Sequence, residues 1–239
     1  MSVAAMRIAM PRHADARHAP PDATQMLLGW QRNARTALQW LHGDWLAYAF
    51  GVERNADVEP ALDTLRARCD EACSLAVSRV LLPTPPTLEA FIDVPAIRLD
   101  ALPVDTGLRV LRMLALLTRR AEVRRLVDRG TRRRLADWIG CPLDALLGAT
   151  VAEAPSLIDA KRERAGTCAL GSLDADALAH EGLALLARHH TQVMLLPLAL
   201  PRNECPHQPQ PSEDECNEAL ALLRERIGPL LPEYAWLSG

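Results

Sequence analysis

Lysine is all but missing from the 239 residues. Lys161 is the only one among 27 basic side chains, and the other 26 are arginine. A bias this complete reflects a GC-rich coding composition more than selected chemistry. Aromatic residues are scarce too, at 4% of the chain. Strands favour β-branched and aromatic side chains, so an all-β fold is excluded and a large central sheet is not expected. No Gly-rich phosphate loop is present, neither G-x-G-x-x-G nor G-x-x-x-x-G-K-[ST], and there is no G-x-S-x-G elbow or H-E-x-x-H pair. These absences argue against an enzyme, and no cofactor is expected. Long apolar runs are also lacking. The best one, near Val193–Leu200, is broken by Pro197, well short of the roughly 20 residues a spanning helix needs. Arg7, Arg12, His13, Asp15, Arg17 and His18 interrupt the first stretch, so no secretory signal is expected and a cytoplasmic location follows. The net charge of −3 means that any polyanion binding would need a local patch.

Six cysteines occur, at 69, 73, 141, 168, 205 and 216. In a cytoplasmic chain of this length, reduced thiols are expected rather than disulfides. A zinc site wants close pairs of ligands. Cys205-Pro206-His207 is the only tight Cys/His cluster, and no second C-x-x-C or H-x-x-x-H completes it. No metal is expected. His189 and His190 are adjacent, so a regular helix points them about 100° apart and they cannot share one metal ion. Near a helix end they complement the dipole, and for Asp174 and Asp176 near its start dipole compensation serves as well as acid/base catalysis does.

What the chain does contain is leucine and alanine, 40 and 38 residues, about a third of the total. Both are strong helix formers, and they recur at helical spacings. The expected fold is all-α, a multi-helix domain over 24–239 preceded by a mobile Ala/Pro/His/Arg-rich arm at 1–23. Leu27, Trp30, Ala34, Leu38, Leu41 and Trp45 share one face of a first helical segment, 24–50, with Gly43 as a break and Gly51 as its end. A second helix at 59–82 puts Leu62, Leu65, Cys69, Ala72, Cys73, Ala76 and Val80 on its buried face, so both cysteines read as small core residues. Pro83, Pro85 and Pro86 end it. The proline-interrupted stretch 83–103, with one short helix near Leu88–Ile92, is where a boundary between two closely packed subdomains would fall.

Residues 105–121 are apolar around most of the helix, which marks a helix enclosed by neighbours. Residues 122–139 continue as one or two helices around Gly130, with Val123, Leu126, Val127, Leu135, Trp138 and Ile139 as apolar positions. A short helix at Leu143–Leu147 follows the Gly140/Pro142 turn. Ile158–Arg164 reads as an exposed charged helix. The next helix covers 174–190, with Leu178, Gly182, Leu185, Leu186 and His189 on one face. Residues 191–201 extend it or form a short strand, and 202–211 read as a surface loop. Ser212 and Glu215 match the S-x-x-E capping box, and Cys216, Ala219, Leu220, Leu223 and Ile227 line the helix that follows until Gly228 and Pro229.

The sharpest local signal is a cluster of arginines: Arg119, Arg120, Arg124, Arg125, Arg129, Arg132, Arg133 and Arg134, opposed only by Glu122 and Asp128. Such a cluster suits a surface for an acidic protein partner or for nucleic acid, and its bland alternative is a solvated face in an arginine-biased chain. Nucleic-acid recognition also wants stacking aromatics or a helix-turn-helix, and Trp138 alone does not supply that. A protein partner is therefore preferred, and an all-helical DNA-binding regulator is the alternative.

The stretch 99–147 runs from Leu-Asp-Ala-Leu-Pro through Gly-Leu-Arg-Val-Leu-Arg-Met-Leu-Ala-Leu-Leu-Thr-Arg-Arg to Arg-Arg-Leu-Ala-Asp-Trp-Ile-Gly and Leu-Asp-Ala-Leu-Leu. With Trp30, Trp40 and Trp45 in the first helix and Tyr234-Ala235-Trp236-Leu237 at the end, it resembles the SctK-type accessory proteins of bacterial type III secretion systems, especially the Hrp branch. The resemblance implies a non-enzymatic adaptor at the cytoplasmic face of the inner membrane. Its partners would be the SctD-type ring protein and the SctQ-type pod protein, and through the pod the SctL-type stator and the export ATPase. The resemblance carries no residue-level motif, so the arginine cluster is the candidate contact surface on charge alone.

Overall fold

Pro103 fixes an extended entry to the helix that the rest of the chain packs around. The computed structural model describes residues 23–52, 59–148, 170–186, 194–202 and 211–238. The arm at 1–22, Lys161, Ile158–Arg164, Cys168, His189, His190 and Cys205-Pro206-His207 lie outside the described residues. Twelve α-helical segments are named here: α1 (Ala23–Arg35), α2 (Ala37–Trp40), α3 (Gly43–Phe50), α4 (Glu59–Leu81), α5 (Leu88–Asp93), α6 (Pro95–Arg98), α7 (Val104–Leu117), α8 (Arg120–Arg125), α9 (Arg129–Ile139), α10 (Leu143–Leu147), α11 (Ala175–Leu186) and α12 (Glu213–Leu222). A π-helical turn at Leu223–Ile227 and two 3₁₀ segments continue α12 to Ser238. No strand occurs among the described residues, and the fold is all-α.

The expectation of an enclosed central helix holds. Val110, Leu111, Leu114, Ala115 and Leu116 of α7 are fully buried, and α11 packs along α7 more extensively than any other pair of elements. Around them sit Phe91, Ile97, Leu99, Leu135, Ile139, Leu146, Leu178, Leu196, Leu223 and Ile227, one continuous apolar cluster. A second, smaller cluster joins Ala34, Ala37, Leu38, Leu41 and Leu46 to Leu62, Val77 and Leu82 of the α4 region and to Leu195 and Leu198. Trp30 and Trp40 pack against both clusters. The 83–103 stretch is more helical than expected, carrying α5, α6 and a 3₁₀ turn at Leu99–Ala101.

The first segment, expected as one run to Gly43, is broken at Thr36 and again at Leu41–His42. In an unbroken helix the Leu38 N–H would donate to the Ala34 carbonyl. At the break, two serines of α4 reach these same two groups. Ser74 Oγ accepts from Leu38 N at 3.1 Å, and Ser78 Oγ donates to Ala34 O at 3.2 Å. Trp40 Nε1 donates to the Asn33 carbonyl at 2.9 Å, another group at the same break. This arrangement corrects the face assigned to α4. Non-helical backbone at Cys69 (φ −149°, ψ 39°) resets the helical phase. Cys69, Ala72 and Ala76 are consequently exposed, Cys73 is half-buried, Val80 is 60% exposed, and Ser74, Val77 and Ser78 face inward instead. The Leu65 side chain lies outside the described positions. Ser74→Ala and Ser78→Ala each remove a buried side-chain hydrogen bond to the backbone, so each is expected to lower unfolding stability by about 1 kcal/mol in urea titrations.

Two further boundaries move for local reasons. The break in 122–139 falls at Leu126–Asp128, not at Gly130, because Asp128 caps α9 by accepting from Gly130 N and Thr131 N. Gly140, in the left-handed region at φ 71°, closes α9. Residues 196–199 form a 3₁₀ turn, neither a strand nor a continuation of α11. The Ser212/Glu215 capping box is present as expected. Cys69, Cys73, Cys141 and Cys216 are free thiols, and burial pushes the Cys141 thiol up, away from the reactive thiolate.

One acidic side chain ties the two clusters together. Asp100 is fully buried, and its carboxylate accepts from Leu195 N at 2.7 Å and Leu196 N at 3.0 Å, capping the 196–199 turn. Asn33 Nδ2 reaches the Asp100 and Leu102 carbonyls from α1 at 2.8 and 2.6 Å. Burial raises the Asp100 pKa from 3.8 to about 7, the two backbone N–H groups opposing it. A folded pKa above the unfolded one means that the folded chain binds the proton more tightly. The stability this contributes is fully present below pH 3.8 and is lost as pH rises through about 7. Denaturation midpoints measured from pH 4 to 8 should therefore carry a falling component that Asp100→Asn removes. That variant is also expected to be less stable throughout, because the two N–H groups bond to different carboxylate oxygens and one of them would face the amide NH2, a donor.

Candidate partner-binding surface

The arginine cluster divides into internal struts and a genuine surface. Arg119, between α7 and α8, is only 5% exposed. Its Nε lies 3.0 Å from both carboxylate oxygens of Glu181, itself 3% exposed, and Nη1 lies 2.9 Å from Glu122. Glu122 in turn accepts from the Leu170 backbone N–H. Arg119 is therefore a buried link between α7, α8 and α11, and its inclusion in a contact surface is corrected. The sequence could not mark it, because Glu181 is 62 residues away.

The i, i+4 geometry of α9 separates its residues into stripes. Leu135 and Ile139 face the core. Arg134 lies over the Trp138 ring at 5.2 Å and donates to the Gly171 carbonyl at 3.2 Å. Arg132 pairs with Asp144 of α10 at 2.9 Å. Arg129 and Arg133 form the exposed stripe, with Asp137 one turn further on, and neither arginine has a carboxylate partner among the described residues. Arg124 and Arg125 are exposed at the end of α8, and Arg120 is half-buried. Asp128, the acidic residue amid them, is held below the usual carboxylate range by the hydrogen bonds of Thr131 and Gly130, so it stays charged and spoken for.

Between these arginines stands one of the apolar positions of the 122–139 segment. Val127 is 89% exposed, at the tip of the Leu126–Asp128 connection. An aliphatic side chain so far out of the core, flanked by Arg124, Arg125 and Arg129, gives the surface an apolar centre with a basic rim, the composition of a protein contact. Arg112 anchors the scaffold beneath. Its Nε donates to Ala175 O at 2.9 Å and its Nη2 faces Asp176 at 3.5 Å, joining α7 to α11. Asp174 accepts from Ala177 N at 2.7 Å, so it serves the start of α11 as a cap. No group of His, Cys, Asp or Glu among the described residues could hold a metal ion. No described helix is long and apolar enough to cross a membrane.

Residues 16–233 match the model of a family described as bacterial type III secretion protein (HrpB4). The chain belongs to the HrpB4 family. The match takes in every helix from α1 to α12, so the family assignment extends to the whole helical body and not to the arginine-rich segment alone. It bears out the resemblance to Hrp-branch secretion accessory proteins. No curated protein and no solved structure matches this HrpB4 chain.

Proposed function

We propose that this HrpB4-family chain is a non-enzymatic cytoplasmic adaptor of the type III secretion apparatus, linking the SctD-type inner-membrane ring protein to the SctQ-type pods of the sorting platform. The observation that carries the reading is the α8–α9 surface, an exposed valine within a basic rim on a rigid helical scaffold, in a chain of a secretion family. Through the pod it reaches the SctL-type stator and the export ATPase. Chemistry enters only as recognition, by burial of Val127 and by charge pairing at Arg124, Arg125, Arg129 and Arg133.

Pull-down and titration with the purified SctQ-type protein and with the cytoplasmic domain of the SctD-type protein test this. The Arg124→Glu/Arg125→Glu/Arg129→Glu/Arg133→Glu variant and the Val127→Asp variant are expected to weaken one of the two complexes by about tenfold or more, with unchanged thermal stability. If the unmodified chain binds neither protein, the reading fails. Duplex DNA is the alternative ligand, favoured by the short connection between α8 and α9. Against it, Trp138, the nearest aromatic for base stacking, is stacked against Arg134. Salt-sensitive DNA binding that tracks the same four arginines would establish that alternative.

A further inference from the structure

A second basic feature lies outside the arginine cluster, where the C-terminal turns meet α6. Leu220, Leu223, Trp236 and Leu237 line a groove together with Pro95, Arg98 and Arg224. Arg98 is held in place by backbone. Its Nε donates to Phe91 O at 2.9 Å, and a second guanidinium N–H donates to Ile92 O. Its charge is met at a distance by Asp93, and no carboxylate hydrogen-bonds to it among the described residues. Arg224 sits in the π-helical turn, where the Gly228 N–H reaches back to Leu223 O, and it makes no hydrogen bond or ion pair with any described residue. The two guanidinium groups are close enough that Arg224, after burial, is the next cause lowering the Arg98 pKa. Two like charges beside one groove repel each other until an anion lies between them.

We infer that this groove docks an acidic peptide segment of a partner protein, with a carboxylate between Arg98 and Arg224 and an adjacent leucine-like side chain against Trp236. Charge sets the class of ligand: two guanidinium groups line an otherwise apolar groove, and neither hydrogen-bonds to a carboxylate among the described residues. Leu223 and Leu237 are each only 4% exposed, so the apolar lining is recessed and offers little to a flat bilayer. The site uses none of the α8–α9 arginines and does not depend on the adaptor assignment.

The test selects phage-displayed random peptides on the full chain, with the Arg224→Glu variant as counter-screen. Peptides enriched on the unmodified chain should carry Asp or Glu beside Leu, Ile or Phe. Synthesised as fluorescent probes, they should lose about tenfold or more in affinity with Arg224→Glu, a similar amount with Trp236→Ala, and less than about twofold with Arg124→Glu/Arg125→Glu. Replacing the peptide acid by lysine should restore part of the binding to Arg224→Glu, an outcome that a merely structural role for Arg224 would not produce. Enrichment without acidic residues overturns the proposal. So does affinity indifferent to Arg224, or Arg224-dependent binding to phosphatidylglycerol vesicles with no selectable peptide.

Discussion

Gly182→Ala should destabilise the chain by about 3–5 kcal/mol, enough to unfold a domain of ordinary stability. Gly182 faces α7 where α11 crosses it. A Cβ built there falls 2.0 Å from the Leu111 carbonyl oxygen and 2.7 Å from its carbon. The obstacle is backbone at Leu111, a fully buried position of α7, so no side-chain rotation relieves it. The helices must separate, and the contacts of Leu111, Leu114, Leu178 and Leu185 loosen with them. Gly171→Ala is the control, because a Cβ there meets nothing within 4 Å, and its midpoint in urea should move by less than about 0.5 kcal/mol equivalent. A Gly182→Ala protein within about 1 kcal/mol of the unmodified chain would show that the crossing is looser than described.

The second large effect concerns the buried ion pair. Arg119→Leu is expected to destabilise by about 3–5 kcal/mol, because it leaves the Glu181 carboxylate inside the fold without the guanidinium 3.0 Å away. It also removes the partner of Glu122, which positions the Leu170–Ser172 turn through the Leu170 N–H. The double variant Arg119→Leu/Glu181→Leu should recover much of that loss, since two apolar side chains in place of a buried pair are often neutral or better. A double-mutant cycle by chemical denaturation measures the coupling. Near-additive losses would mean that Arg119 and Glu181 are not coupled as the geometry has them. Partner binding by the folded fraction should survive Glu181→Leu, since neither residue of the pair reaches the surface.

Much of the architecture was legible as periodicity. The α7 circumference of leucines, the Ser212/Glu215 capping box, the left-handed glycines after α3 and α9, and the short α10 helix all depend on residues within a turn of one another, so local physics places them. The same logic misassigned α4, because its apolar spacing continues unbroken through a kink that periodicity cannot register. The candidate surface was half legible. Composition marked the arginine segment, but charge alone could not tell that Arg119 is buried against Glu181 or that Arg132 and Arg134 meet Asp144 and Trp138. Val127, one of the apolar positions of its segment, stands in solvent at the connection where α8 has ended and the Asp128 cap starts α9.

The sequence by itself determined that this chain is all-α, that its helices carry leucine faces, that its basic charge is arginine and locally dense, and that it resembles a secretion accessory protein. Each of these follows from residue identity and short spacing. Only the tertiary structure decided which polar groups are internal. Asp100 holds a turn 95 residues away, two serines complete a broken helix, and one arginine of eight is withdrawn from the surface into the core. The reason is physical: burying a polar or charged group is tolerable only when a partner meets it, and that partner can come from anywhere along the chain once the helices have packed.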